Sequence, residues 1–127
     1  MKARKDSLQA AVATIDGELM KASERRVAER KVISLRAKVE LPNGVMLIGH
    51  STDISRTGIG LFSPSAVQVG RECRLSVDLS ACGTQTELKL TGRVCYCTEQ
   101  APRTFRLGMH FVGTNAHAAA LLEDLLR

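Results

Sequence analysis

Two short stretches hold the side chains best able to do chemistry. "SERRVAERK" carries Arg25, Arg26 and Arg30, and "DISRTG" carries Asp53, Ser55 and Gly58. An arginine guanidinium is a planar fork that grips phosphate through paired hydrogen bonds, and the same fork matches O6 and N7 of guanine. An ionised aspartate only accepts, which suits the N–H donors on guanine's other edge. A serine hydroxyl serves base or phosphate, and a glycine lets a ligand approach the backbone. Together these groups could hold a guanine nucleotide with exposed phosphates. Each stretch alone has a plainer reading. Arginines four apart are common on solvated surfaces. Asp-x-Ser-x-x-Gly is a frequent turn, in which Asp and Ser bond local N–H groups and Gly takes positive φ.

A hairpin brings the two stretches together. From Ile33 the apolar residues recur at every second position: Ile33, Leu35, Ala37, Val39 and Leu41 alternate with Ser34, Arg36, Lys38 and Glu40. That is the signature of a half-buried antiparallel strand. Pro42-Asn43-Gly44 follows, and Asn-Gly predicts a two-residue turn. Pro42 then faces Val45, Val39 faces Ile48 and Ile33 faces Ile54. Ser34 faces Asp53, Val32 faces Ser55, and Arg30 falls near Thr57. The arginines arrive at the same end of the sheet as Asp53, Ser55 and Gly58.

Four further segments repeat the alternation. They start at Ile59, Cys73, Leu88 and Phe105, the last three running to Leu79, Tyr96 and Phe111. About six strands with one wet and one dry face predict an all-β protein whose sheet closes into a small antiparallel barrel, leaving no open edge. Residues 115–127 predict a C-terminal helix capped by Thr114 or Asn115. Its apolar face is Ala118, Leu121, Leu122 and Leu125, and it covers or plugs the barrel. In residues 1–23, Leu8, Val12, Ile15 and Leu19 form one stripe at helical spacing, weakened by Gly17. That segment packs on its own domain or forms a homodimer.

Composition sets bounds. The chain has 127 residues, which suits one domain, and 44% are apolar, enough for a core. Aromatics are 3% with no Trp, so the core is aliphatic. A net charge of +5 fits an anionic partner or ordinary solubility. No apolar run approaches the ~18 residues that a membrane span requires. The start faintly resembles a signal peptide, but Asp6, Gln9 and Asp16 break its apolar part. The reading is therefore cytoplasmic, with Cys73, Cys82, Cys95 and Cys97 reduced. Cys95 and Cys97 share a strand face, but the spacing of the other pair suits zinc poorly. His50 shares a face with Ile48 and Ile54, as a core or rim residue. His110 lies outward and His117 is on the last helix. No catalytic constellation is visible, so an enzyme is not expected. Nucleic-acid binding is disfavoured, because Tyr96, Phe105 and Phe111 all fall on dry faces and leave no stacking platform.

The two stretches resemble the motifs of the PilZ family of bacterial cyclic di-GMP receptors. Arg-x-x-x-Arg is matched by Arg26 to Arg30, and Asp/Asn-x-Ser/Ala-x-x-Gly by Asp53 to Gly58. "RLGMHF" is similar to the family's Gly-x-x-Phe late strand. The resemblance covers residues 24–127, which sets residues 1–23 apart as a separate segment. It implies a six-stranded antiparallel barrel with a flanking helix. It implies that Arg26 and Arg30 wrap cyclic di-GMP while Asp53, Ser55 and Gly58 hold the base. Arg25, just before the first motif arginine, accompanies binding of two intercalated ligand molecules in the family. No cofactor beyond the ligand and no membrane are implied. The expected role is second-messenger signalling, in which a conformational change is relayed to a protein partner. An adaptor that has lost its ligand is the alternative, but such members typically lack the motif arginines retained here.

Overall fold

Every second side chain of the strands turns inward, and this alternation organises the structure, a computed structural model that describes residues 30–127. The strands are β1 (Lys31–Val32), β2 (Arg36–Glu40), β3 (Met46–Ile54), β4 (Gly58–Ser63), β5 (Glu72–Asp78), β6 (Glu87–Ala101) and β7 (Thr104–Phe111). One helix, α1 (Ala116–Leu126), follows. β2 to β7 form an antiparallel ring in the order β3-β2-β5-β6-β7-β4, closed by pairing of β4 with β3. Closure satisfies both edges of every strand in the ring. β1 is a short extension along the end of β3. The interior is mostly aliphatic: Val39, Ile54, Ile59, Leu61, Leu75, Val77, Leu88, Val94 and Leu107 are fully buried. The expected helical segment in residues 1–23 lies outside the described residues, as do Arg25 and Arg26.

The first long hairpin differs from the expected one by a single residue. Gly44 N donates to the Leu41 carbonyl and Leu41 N to the Val45 carbonyl, both at 2.9 Å. The loop is thus three residues, Pro42-Asn43-Gly44, with Gly44 left-handed at φ +90°. A two-residue turn would make Pro42 the closing residue opposite Val45, where it has no N–H to give. In the longer loop its fixed φ fits the first turn position, and Asn43 Oδ1 accepts from Val45 N at 3.0 Å. Val39 consequently faces Leu47 rather than Ile48, and Ala37 faces Gly49. A one-residue slip exchanges the faces of a strand. Ile48 and His50 therefore point outward, and His50 is not the core or rim residue the alternation suggested.

A second irregularity lies between β1 and β2. Ser51 Oγ accepts from Leu35 N at 2.8 Å and donates to the Ile33 carbonyl at 2.6 Å, filling a gap in the backbone ladder. Beyond the gap Val32 faces Asp53 and Lys31 faces Ile54, in place of the expected Ser34–Asp53 and Ile33–Ile54 pairs.

The helix starts at Asn115, whose Oδ1 accepts from Ala118 N at 2.8 Å. Ala118, Leu122 and Leu125 are buried and Leu121 partly so. At the other end, Lys31 Nζ donates to the Leu125 carbonyl at 2.9 Å. A cation there satisfies a carbonyl that the helix leaves unpaired and meets the negative end of its dipole.

Candidate functional site

Arg30 immediately precedes β1, so the β1–β3 pairing delivers it to the end of β3 that carries Asp53. Its Nε donates to Asp53 Oδ2 at 2.9 Å and its Nη2 to Oδ1 at 3.5 Å. Nη1 donates to Ser55 Oγ at 3.4 Å. The Arg30 side chain is 41% exposed and that of Asp53 17%. One guanidinium therefore spans the acid and the hydroxyl of the other stretch, with open solvent on one side. For Arg30 the meeting inferred from the hairpin occurs, although through a different register.

Ser55 is fully buried and holds the turn. Its Oγ accepts from Thr57 N and Gly58 N, each at 3.1 Å, while Ser55 N donates to the Gly58 carbonyl at 2.9 Å. Gly58 is required for a reason other than the expected positive φ, which it does not adopt. A Cβ at this position would run into the Met109 carbonyl oxygen on β7. Its lack of a side chain lets β4 and β7 pair.

Two bulges build the surface beside this cluster. In β3 the register shifts between Ser51 and Asp53, so Thr52 and Asp53 stand side by side, both partly exposed. Their oxygens lie against the α-carbon of Gly60, where a Cβ would collide with both. In β6 a shift between Val94 and Tyr96 turns Tyr96 outward, 43% exposed, with its ring laid across Gly108 of β7. Cys97 then packs toward the core while Cys95 is exposed, so the two thiols do not share a face. Because Asp53 faces Gly60, Gly60 faces Gly108 and Gly108 faces Tyr96, one row crosses four strands. Three inter-strand steps make it about 14 Å long, with glycine in the middle and polar or aromatic walls at the ends. Sequence alternation assigned Tyr96 to the dry face and did not single out Gly60, while Gly108 stood out only as the glycine of the Gly-x-x-Phe strand. Phe62, 39% exposed, is a second outward aromatic, so the expected lack of exposed aromatics is corrected.

Both stretches are also tied to the helix. Arg56, between Ser55 and Gly58, donates from Nε and Nη2 to the two carboxylate oxygens of Glu123 at 2.7 and 3.0 Å. That bond is the main reason the Glu123 carboxyl sits below its ordinary pKa. Among the described residues, no three His, Cys, Asp or Glu side chains gather as a metal site. No helix among them is long and apolar enough to cross a membrane.

The family model of the PilZ domain matches residues 24–127. The chain belongs to the PilZ family. Solved PilZ structures share the fold at low identity. The PilZ domain of YcgR from Escherichia coli, determined with c-di-GMP, superposes with a TM-score of 0.65 at 17% identity, covering 80% of this chain and 88% of that one. The PilZ domain of CeSA from a cellulose-synthesizing bacterium gives 0.61 at 16% identity, covering 79% and 100%. The inhibitor of motility MotI/DgrA of Bacillus subtilis gives 0.61 at 18% identity over 77% of this chain, which spans only 48% of that protein. No curated protein sequence matches. Within this PilZ barrel, Arg30, Asp53, Ser55 and Gly58 lie at one end of the β3–β4 pair.

Proposed function

We propose that this PilZ domain is a cyclic di-GMP receptor that binds without turning its ligand over and relays occupancy to a protein partner. The observation that carries the reading is the Arg30 guanidinium spanning Asp53 and Ser55. Asp53 here accepts two N–H donors from Arg30, and the Watson–Crick edge of guanine offers a like pair. The ion pair is partly open to water, so exchanging one donor set for the other costs little net electrostatic energy. Arg30, once released, is free to take phosphate or the O6/N7 edge. Arg25 and Arg26 complete the cationic side by family resemblance. The exposed ring of Tyr96 offers a stacking surface at the opposite end of the glycine row. A cytoplasmic location fits this reading, because such a messenger is met there.

Calorimetric titration with cyclic di-GMP tests this, with cyclic di-AMP, GTP and a random single-stranded oligonucleotide as controls. Cyclic di-GMP alone is expected to bind tightly, and more weakly as salt rises, because the ligand is a dianion. Arg30→Ala is expected to weaken binding by about tenfold to a hundredfold, the loss of one charge-assisted contact. Wild-type affinity in that variant would remove Arg30 from the site, and tighter binding of the oligonucleotide would replace the ligand class. A stoichiometry of two supports the role given to Arg25; a value of one removes it.

A further inference from the structure

Next to the glycine row lies a cation that lacks an acceptor among the described residues. Arg106 is on β7, two residues from Gly108 and on the same outward face, opposite Phe62 of β4 and Thr98 of β6. Its side chain is half-buried, and its Nε is fully buried with no hydrogen-bond partner among the described residues. Leaving a buried polar atom unpaired is costly, more so in a charged group, so the arrangement calls for an acceptor. Two other arginines tied by ion pairs on the barrel surface, Arg30 and Arg93, have carboxylates at 2.9 and 2.6 Å. Among the described residues, Arg106 has no such carboxylate.

The position fits the ligand surface. Two residues along a strand is about 7 Å, within the reach of an arginine side chain over Gly108 and Gly60. Around those two glycines the nearest side-chain groups are the Tyr96 ring and the Asp53 and Thr52 oxygens. A ligand lying along the row from Asp53 to Tyr96 would pass Arg106 on one flank, well away from Arg30. We infer that Arg106 is a further ligand-binding residue, a second phosphodiester anchor that the two sequence motifs do not contain. This rests on the reading of the domain as a cyclic di-GMP receptor. A cyclic dinucleotide carries two phosphodiesters on opposite sides of its ring, so one anchor beside Asp53 and a second on the flank at Gly108 suit its charge distribution. The guanidinium fork meets a phosphate's paired oxygens, which a point charge such as lysine's does less well.

The test uses the full chain and calorimetry with cyclic di-GMP at low and high salt, on wild type, Arg106→Gln, Arg106→Lys and Arg30→Ala. Thermal unfolding of each protein without nucleotide accompanies it. Arg106→Gln is expected to unfold within a few degrees of wild type or above it, since a half-buried side chain with an unpaired Nε is replaced. Its affinity is expected to fall by about tenfold or more, with a shallower salt dependence. Arg106→Lys is expected to recover the salt dependence and part of the affinity, a recovery that a packing role would not produce. Unchanged affinity and salt slope in Arg106→Gln, with binding weakened in Arg30→Ala, would overturn the assignment and leave the receptor reading standing. A wild type that does not bind cyclic di-GMP would overturn both.

Discussion

Gly58 and Gly60 are two residues apart on one strand face, yet a methyl group would meet different things at each. At Gly58 it meets a backbone carbonyl of the neighbouring strand, and at Gly60 the carboxylate of Asp53 and the hydroxyl of Thr52. Backbone in a closed ring cannot yield without breaking strand pairing, whereas those side chains can rotate away. Gly58→Ala is therefore expected to cost about 1–3 kcal/mol of stability, as overpacking does, read as a lower urea midpoint. Gly60→Ala is expected to leave the midpoint nearly unchanged while weakening cyclic di-GMP about tenfold, because Asp53 is pushed from its place beside Arg30. Equal effects of the two substitutions on stability would show the distinction to be wrong. At this scale the residue types of the site were legible in the sequence: Arg30, Asp53 and Ser55 meet as their chemistry suggested. The reason for Gly58 was not legible. A glycine demanded by the carbonyl of Met109, on a strand far along the chain, leaves no local mark in sequence.

Strand identity followed from period-two alternation; the order of strands around the ring and their register did not. Alternation is symmetric about a turn, so it fixes which residues pair only if the turn length is known. Asn-Gly suggested two residues, and Pro42 makes it three. The bulges at Asp53 and Tyr96 were equally invisible, because an inserted residue shifts the alternation only beyond itself: β3 ends one residue after Asp53, and the residues of β6 beyond Tyr96, Cys97 to Ala101, carry little apolar pattern to show it. Both bulges re-aim a side chain onto the same row, so the part of the site that sequence missed is the part built by broken periodicity. The turn itself is testable. Gly44 has φ +90° and open space around its α-carbon, so a substitution there meets only backbone strain. Gly44→Ala is expected to destabilise by about 1–2 kcal/mol and Gly44→Asn by less, since asparagine visits the left-handed region more readily. Chemical denaturation at equilibrium measures both, and an alanine variant no weaker than the asparagine one would contradict the turn geometry.

The barrel and helix are joined at the end that carries the candidate site by two side chains that neighbour Arg30, Ser55 and Gly58. Arg56 leaves the Ser55–Gly58 turn to bind Glu123, and Lys31, next to Arg30, binds the Leu125 carbonyl. The last turn of α1 thus contacts both stretches, and a rearrangement of Arg30 and its turn on ligand binding would reach it directly. The Arg56 bond holds the Glu123 carboxyl below its ordinary value of 4.5. A lowered folded-state pKa means that the unfolded chain takes up the proton first as pH falls. The pair's contribution is therefore complete above about 4.5 and disappears as pH drops through the lower folded value. Glu123→Gln is expected to be less stable than wild type at neutral pH and to converge with it in acid, as followed by urea midpoints across pH. Hydrogen exchange then tests the relay. Cyclic di-GMP is expected to change exchange of the 122–126 amides in wild type and to leave them unaffected in Glu123→Gln, whose ligand affinity stays near wild type because Glu123 touches Arg56 and not the nucleotide surface. A ligand effect on those amides that survives the substitution would mean that the helix senses the site through the barrel wall rather than through Arg56.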